Sequence, residues 1–442
     1  MNFPPPSRRH RHRRAIRWRV ELLLPLLLAF VCGAALRSSL GASADDTARF
    51  LAGLPVSAGS DLAPLTSSPA WTAHAAYFNR AWLKLETRQI VPARTWAATN
   101  FPNFTQSSAP LFYMFSGPDI LYADTLFPNA RTVVLCGLEP VGDVPDLARL
   151  QPGEIAGALQ NLQTTLNSVL SFSFFITKDM RRDFAGGVLK GNLPAIYVLL
   201  ARLGHPLLKV EPVALDRSGA LSAGGPTRGV RIVYGAADGG SRTLYYFTTD
   251  LSDDGIKSNP GFIKFCAGLG TGHSLLKAAS YLMHQNGFNR VREFLLDHSA
   301  AILQDDSGVP LRYFAPDKWV VRTAGAYRGP IELFKQHYQA DLAQLYQQSQ
   351  PIPLTFGFGY QWSSSRSTVL LAVRDSSGGE QRRVVAPPPQ QQAPQTQPPA
   401  PVREPAPPEV RRAAPVAPPP PPPAEPPPST QPRVERALPV GP

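Results

Sequence analysis

Residues Phe112 to Pro140 read FYMFSGPDILYADTLFPNARTVVLCGLEP: an apolar run, a Ser-Gly-Pro-Asp turn, a short amphipathic segment, then a second apolar run closing on Glu139. Two strand-length apolar runs separated by a helical segment fit a strand–helix–strand crossover. Strands predicted at Leu111–Phe115 and Thr132–Leu135, with a helix at Ile120–Phe127 between them, therefore point to an α/β architecture. The pattern continues downstream. Ile155, Leu159, Leu162, Leu166 and Val169 step by four, three, four and three, which predicts a helix from about Pro152 to Leu170. A helix at Leu193–Leu203 hands over to a strand at Leu207–Val213, and a hairpin is expected about Asp238-Gly239-Gly240. Helices are expected at about 273–286 and 289–298, with a strand running into Asp305-Asp306. A last helix covers IELFKQHYQADLAQLYQ, and LTFGFGYQW with TVLLAV is expected to form a closing β-hairpin.

Alternating strands and helices over 110–310 imply a Rossmann-like, mostly parallel sheet with helices on both faces. Trp71, Ala75, Phe78, Trp82 and Leu85 predict a helix in an N-terminal helical cap, residues 45–109, with a proline-broken loop from Val91. The α/β domain proper spans 110–375. A β-barrel, suggested by TFGFGYQW alone, fails because barrels need eight or more alternating strands.

The two ends set the location. Seven arginines precede the apolar run Leu22–Leu36, and Ala42-Ser43-Ala44 offers a small-residue cleavage site. Basic segment, short apolar run and small-residue motif together describe a signal peptide over 1–44, or a membrane anchor through 22–36 if it is retained. The body is expected to be exported, to the periplasm or cell envelope. Residues 376–442 carry the proline-rich tail, with 23 prolines in the last 56 residues. Proline lacks the backbone donor, so a disordered, semi-rigid spacer is expected, able to meet an envelope protein partner.

The formal charge of +12 belongs to these ends: residues 45–380 hold 29 Lys+Arg against 27 Asp+Glu. A nearly neutral body speaks against a nucleic-acid partner, whose phosphates require clustered base. In an oxidising compartment Cys136 and Cys266 could form a disulfide, with two buried free thiols as the alternative.

Gly117 lies 22 positions before Glu139, close to the spacing at which an acid at a strand end meets the ribose of a cofactor held by the first turn. Three glycines usually build such a turn, whereas here there is one, and Pro118 removes a backbone donor. The first strand–helix–strand resembles the fold of S-adenosylmethionine-dependent methyltransferases. That resemblance implies S-adenosylmethionine as cofactor, contacted by Ser116, Gly117, Asp119 and Glu139. FSGPD, FPNA, GLEPVG, KAASYLMH and LQDDSGVPLRYF together resemble a set of exported bacterial proteins of unassigned activity. Since the methyl donor is a cytoplasmic metabolite, an exported body is expected to be a non-catalytic or ligand-binding derivative. An enzyme using the FSGPD/Glu139/Asp305 crevice is the alternative.

For catalysis the candidates are His284, expected near a helix end, and Asp305, expected to face the crevice while Asp306 caps a turn. A Ser116–His284–Asp305 hydrolase can be drawn, but no G-x-S-x-G elbow supports it. The histidines at 205, 273, 284, 298 and 337 show no metal-ligand spacing. GLGTGHS is expected to be a turn with His273 or Ser274 capping a helix.

Overall fold

In the computed structural model the described residues are 42–144, 146–172 and 188–375. Residues 1–41 of the signal-like segment and the proline-rich tail, 376–442, lie outside them, whereas Ser43 of the small-residue motif caps the first helix, which begins at Ala44. Ten strands form one sheet in the order β4-β3-β5-β6-β2-β1-β7-β8-β10-β9. They are β1 (Leu111–Tyr113), β2 (Thr132–Gly137), β3 (Leu207–Leu215), β4 (Leu221–Ser222), β5 (Thr227–Gly235), β6 (Ser241–Thr248), β7 (Gly272–Leu276), β8 (Ser299–Gln304), β9 (Trp319–Gly325) and β10 (Thr368–Arg374).

The centre, β6-β2-β1-β7-β8, is parallel throughout. The expectation of a mostly parallel sheet nevertheless fails, because five of the nine pairings are antiparallel. The cause is local. Short turns containing glycine join β3 to β4 and β5 to β6, and connections that short reverse the chain, while β4 and β5 flank β3 on either side, both antiparallel to it. On the opposite edge β10 enters antiparallel between β8 and β9.

Among the described residues ten α-helices of six or more residues, and their connections, cover the sheet: α1 (Ala44–Leu51), α2 (Pro69–Leu85), α3 (Val91–Asn100), α4 (Ile120–Leu126), α5 (Pro152–Phe172), α6 (Leu193–Arg202), α7 (Asp253–Ser258), α8 (Gly261–Gly268), α9 (Asn289–His298) and α10 (Ala340–Gln348). Because strand side chains alternate, β1 divides its residues between two cores. Leu111 and Tyr113 join α1–α6 on one face, while Phe112 and Met114 join α8 and α9 on the other. Helices on both faces are thus observed. The N-terminal helices share the first core with the sheet, and the Trp96 indole donates to the Pro353 carbonyl at 2.9 Å.

Three local expectations are corrected. Residues 91–100 are helix, not loop: a π-turn at Glu86–Ile90 leads into α3, and Pro92 sits in its first turn, where an amide donor is not needed. Residues 272–276 are a strand, not the start of a helix, and the following turn is broken by left-handed Ala278, Ser280 and Tyr281. LTFGFGYQW forms no strand, so the closing hairpin is absent: β10 pairs with β8 and β9 instead. The last helix is also shorter than expected, since residues 332–337 make a separate kinked turn before α10.

Candidate functional site

The carboxyl ends of β1, β2, β6 and β7 converge on a cavity of about 210 Å³, lined among others by Ser116, Gly117, Asp119, Glu139, Asp250 and Lys277. In an open α/β sheet this is where ligands bind, because strand ends and their loops leave a crevice between diverging helices.

The FSGPD turn forms the first wall. Gly117 adopts φ +54° and donates its amide to the Cys136 carbonyl at 3.1 Å. The Ser116 hydroxyl accepts from the Cys136 amide at 3.1 Å, stitching the turn to β2. Asp119 caps α4 by accepting from the Tyr122 amide, and its second oxygen accepts from the Tyr113 hydroxyl at 2.8 Å and the Lys277 ammonium at 2.6 Å. Lys277 also lies 4.1 Å from the centre of the Tyr122 ring. Both members of this ion pair are almost wholly buried, with side chains 2% exposed.

Glu139 closes the second wall. Its carbonyl accepts from the hydroxyls of Tyr246 at 2.7 Å and Thr248 at 2.9 Å. Gly137 leaves the room this needs: a Cβ there would lie 2.8 Å from a Glu139 carboxylate oxygen and 3.4 Å from Gly117 Cα. The missing side chain therefore brings the turn and the acid together. Residues Thr249–Leu251 after β6 add Asp250, exposed at the rim.

The third wall is Lys277–Ser280, after β7. Three of its amides are engaged inside the protein: Ala278 donates to Asp305, Ala279 to Ser307, and Ser280 to the Tyr360 hydroxyl. Four non-glycine residues among those described have positive φ: Phe115, Ala278, Ser280 and Tyr281. Three of them line the cavity and the fourth is adjacent. Left-handed backbone costs on the order of 1–3 kcal/mol per non-glycine residue and concentrates where function needs a fixed shape.

Asp305 does not face the crevice. It is buried behind the third wall, accepting from the Ala278 amide and from the amide and hydroxyl of Ser307. The turn chemistry assigned to Asp306 thus belongs to Asp305. Asp306 instead accepts from the Tyr281 hydroxyl at 2.7 Å. Burial raises both carboxyls, Asp306 to about 7, with the neighbouring Asp305 charge adding to its rise. His284 lines a separate cleft with Arg312 and His337, and burial lowers its imidazole to about 4. Ser116, His284 and Asp305 make no hydrogen bond to one another, so the drawn triad is not assembled.

His273 and Ser274 lie inside β7 and cap nothing: His273 bonds the Ser107 hydroxyl, and Ser274 the Ser299 hydroxyl. Among the described residues no group of three or more His, Cys, Asp or Glu could hold a metal. Cys136 and Cys266 are free buried thiols, not a disulfide, in the core between the sheet and α8. Burial pushes Cys136 up to about 12 and Cys266 well above its usual range. Neither thiol is expected to be alkylated in the native protein, and both are expected to react on unfolding without reductant. Peptide mass mapping reads this directly.

The sequence signalled Ser116, Gly117, Asp119 and Glu139, and they do meet at one cavity. Lys277, Asp250 and Tyr360 were missed. A signal for Lys277 existed: GHSLL is a strand-length apolar run ending in a charge, the same form as the run ending at Glu139. Tyr360 arrives from a segment with no regular structure and had none. Compared with models of protein families, with curated proteins and with solved structures, the chain finds no match.

Proposed function

We propose that this protein is an exported, Rossmann-like ligand-binding module of the cell envelope, with its proline-rich tail as spacer or interaction segment. One observation carries the binding function: the left-handed non-glycine residues gather around a single cavity at the ends of four parallel strands. The Rossmann-like reading draws support from the order of the parallel strands. Numbered among themselves along the chain, they run third, second, first, fourth, fifth, the doubly wound order, and the order reverses beside β1, where the cavity opens. The antiparallel strands at both edges are additions to that frame.

The second reading is a methyltransferase-like enzyme, favoured by the placement of Glu139 across from Gly117. Thermal unfolding of the full chain with S-adenosylmethionine, S-adenosylhomocysteine and a panel of other small metabolites separates the two. A ligand at about 100 times its Kd adds about 2.7 kcal/mol of stability, several degrees in Tm. The expected result is saturable stabilisation by a ligand other than the adenosyl compounds, lost in Glu139→Ala. Stabilisation by the adenosyl pair would favour the enzyme, and no stabilisation by any compound would remove the binding function. Cell fractionation tests the location: a body found in the cytoplasm with residues 1–44 intact overturns export.

A further inference from the structure

We infer that the cavity accepts an organic cation, an amine or quaternary ammonium compound, and rejects phosphates. This rests on the ligand-binding reading and specifies its ligand class. The rejection follows from the backbone. Phosphate sites at strand–helix turns work through amides that point at the anion. Here the Gly117 amide donates to the Cys136 carbonyl, Asp119 to the Ser116 carbonyl, and Ala278, Ala279 and Ser280 to Asp305, Ser307 and Tyr360. Pro118 has no amide proton. A phosphate entering the cavity would find these five amides already engaged.

It would also meet the wrong charge. The wall carries three carboxylates, Asp119, Glu139 and Asp250, against one ammonium, Lys277. Lys277 and Asp119 meet at 2.6 Å beside the turn after β1, and Glu139 and Asp250 follow β2 and β6. Four aromatic residues share the lining with aliphatic and small ones: Phe115 and Phe288 pack edge to face at 6.0 Å, and Tyr113 and Tyr360 also line the space. Carboxylates beside aromatic faces make a cation site, since ring quadrupole and acid charge act in the same direction. The protein already uses this chemistry once, seating its own Lys277 ammonium between Asp119 and the Tyr122 ring.

Calorimetric titration of the full chain with spermidine, choline, adenosine and ATP tests the inference. Saturable binding of spermidine or choline is expected, with none for ATP. Glu139→Gln and Asp250→Asn are each expected to weaken it by about tenfold, and added salt to weaken it further. Phe288→Leu is expected to reduce choline binding more than spermidine binding, because a quaternary ammonium depends on the ring face. Binding of ATP or adenosine in place of the amines, lost in Glu139→Gln, would overturn the cation assignment and leave the ligand-binding reading intact. Amine binding that survives Glu139→Gln, Asp250→Asn and Phe288→Leu unchanged would place it elsewhere on the surface and also overturn the assignment. If none of the four compounds binds, the cation assignment falls, and the ligand-binding reading is decided by the wider thermal-unfolding panel.

Discussion

Replacing Lys277 with methionine is expected to lower the unfolding free energy by about 3–5 kcal/mol. The side chains of Lys277 and Asp119 are each 2% exposed and meet at 2.6 Å. Methionine keeps most of the aliphatic stem, so the loss isolates the charge. It leaves the Asp119 carboxylate buried with only the Tyr113 hydroxyl and the Tyr122 amide as partners, and an uncompensated buried charge is far more costly than a missing pair. Adding Asp119→Asn to Lys277→Met should recover most of the stability, since asparagine also caps helices and carries no charge. Urea unfolding of the two single variants and the double variant gives the coupling directly. A Lys277→Met cost below about 1 kcal/mol, as for surface pairs, would mean that the pair is hydrated and the cavity floor more open than the geometry indicates.

That ion pair also shows what the sequence could and could not convey. Asp119 was legible as a helix cap because the acid precedes an amphipathic segment, a relation contained within four residues. Its partner is 158 positions away, on a strand whose neighbours in the sheet are β1 and β8. Composition near Lys277 favours helix, and sheet pairing overrode it: Ala, Ser and Tyr residues that would continue a helix instead turn left-handed to close the cavity. The same distinction explains the sheet. Strands β1, β2, β6 and β8 announced themselves through apolar runs, but β9 and its pairing with β10 did not, because Arg322 and Thr323 interrupt WVVRTAG and an edge strand buries only three of its seven residues here. Strand order and direction arise from long-range pairing, which no local period encodes. The two thiols follow the same logic. Their shared core could be guessed, whereas the contact of the Cys136 sulfur with that of Met114 at 3.8 Å could not.

Acidification from pH 6.5 toward 4 is expected to destabilise the protein, and the histidines His74, His273 and His284 set the window. His74 and His273 are 0% and 6% exposed, and burial lowers both imidazoles from 6.5 to about 4. His74 donates from Nε2 to the Leu51 carbonyl at 2.8 Å and accepts at Nδ1 from the Gln163 amide at 3.0 Å, so its neutral form is fully satisfied. His273 stacks on Phe127 and bonds Ser107. A group whose folded pKa lies below its unfolded value contributes stability above pH 6.5 and loses it as the pH falls through about 4, because the unfolded chain binds the proton more readily. Each histidine should forfeit on the order of 3 kcal/mol across that window. Asp306 acts with the opposite sign. Its folded carboxyl is raised to about 7, so its contribution is complete below pH 3.8 and disappears as the pH rises through 7. His284 is lowered to about 4 as well, so three imidazoles stand against the raised carboxyls of Asp305 and Asp306, and stability should climb from pH 4 to 6.5. Urea midpoints measured across that range, for the native chain and for His74→Gln and His273→Gln, provide the comparison. Each substitution should flatten the climb whatever it does to the stability at pH 7. A native profile that is level or descends between pH 4 and 6.5 would show that the carboxyl pair beside Tyr281, and not the buried imidazoles, governs the response to acid.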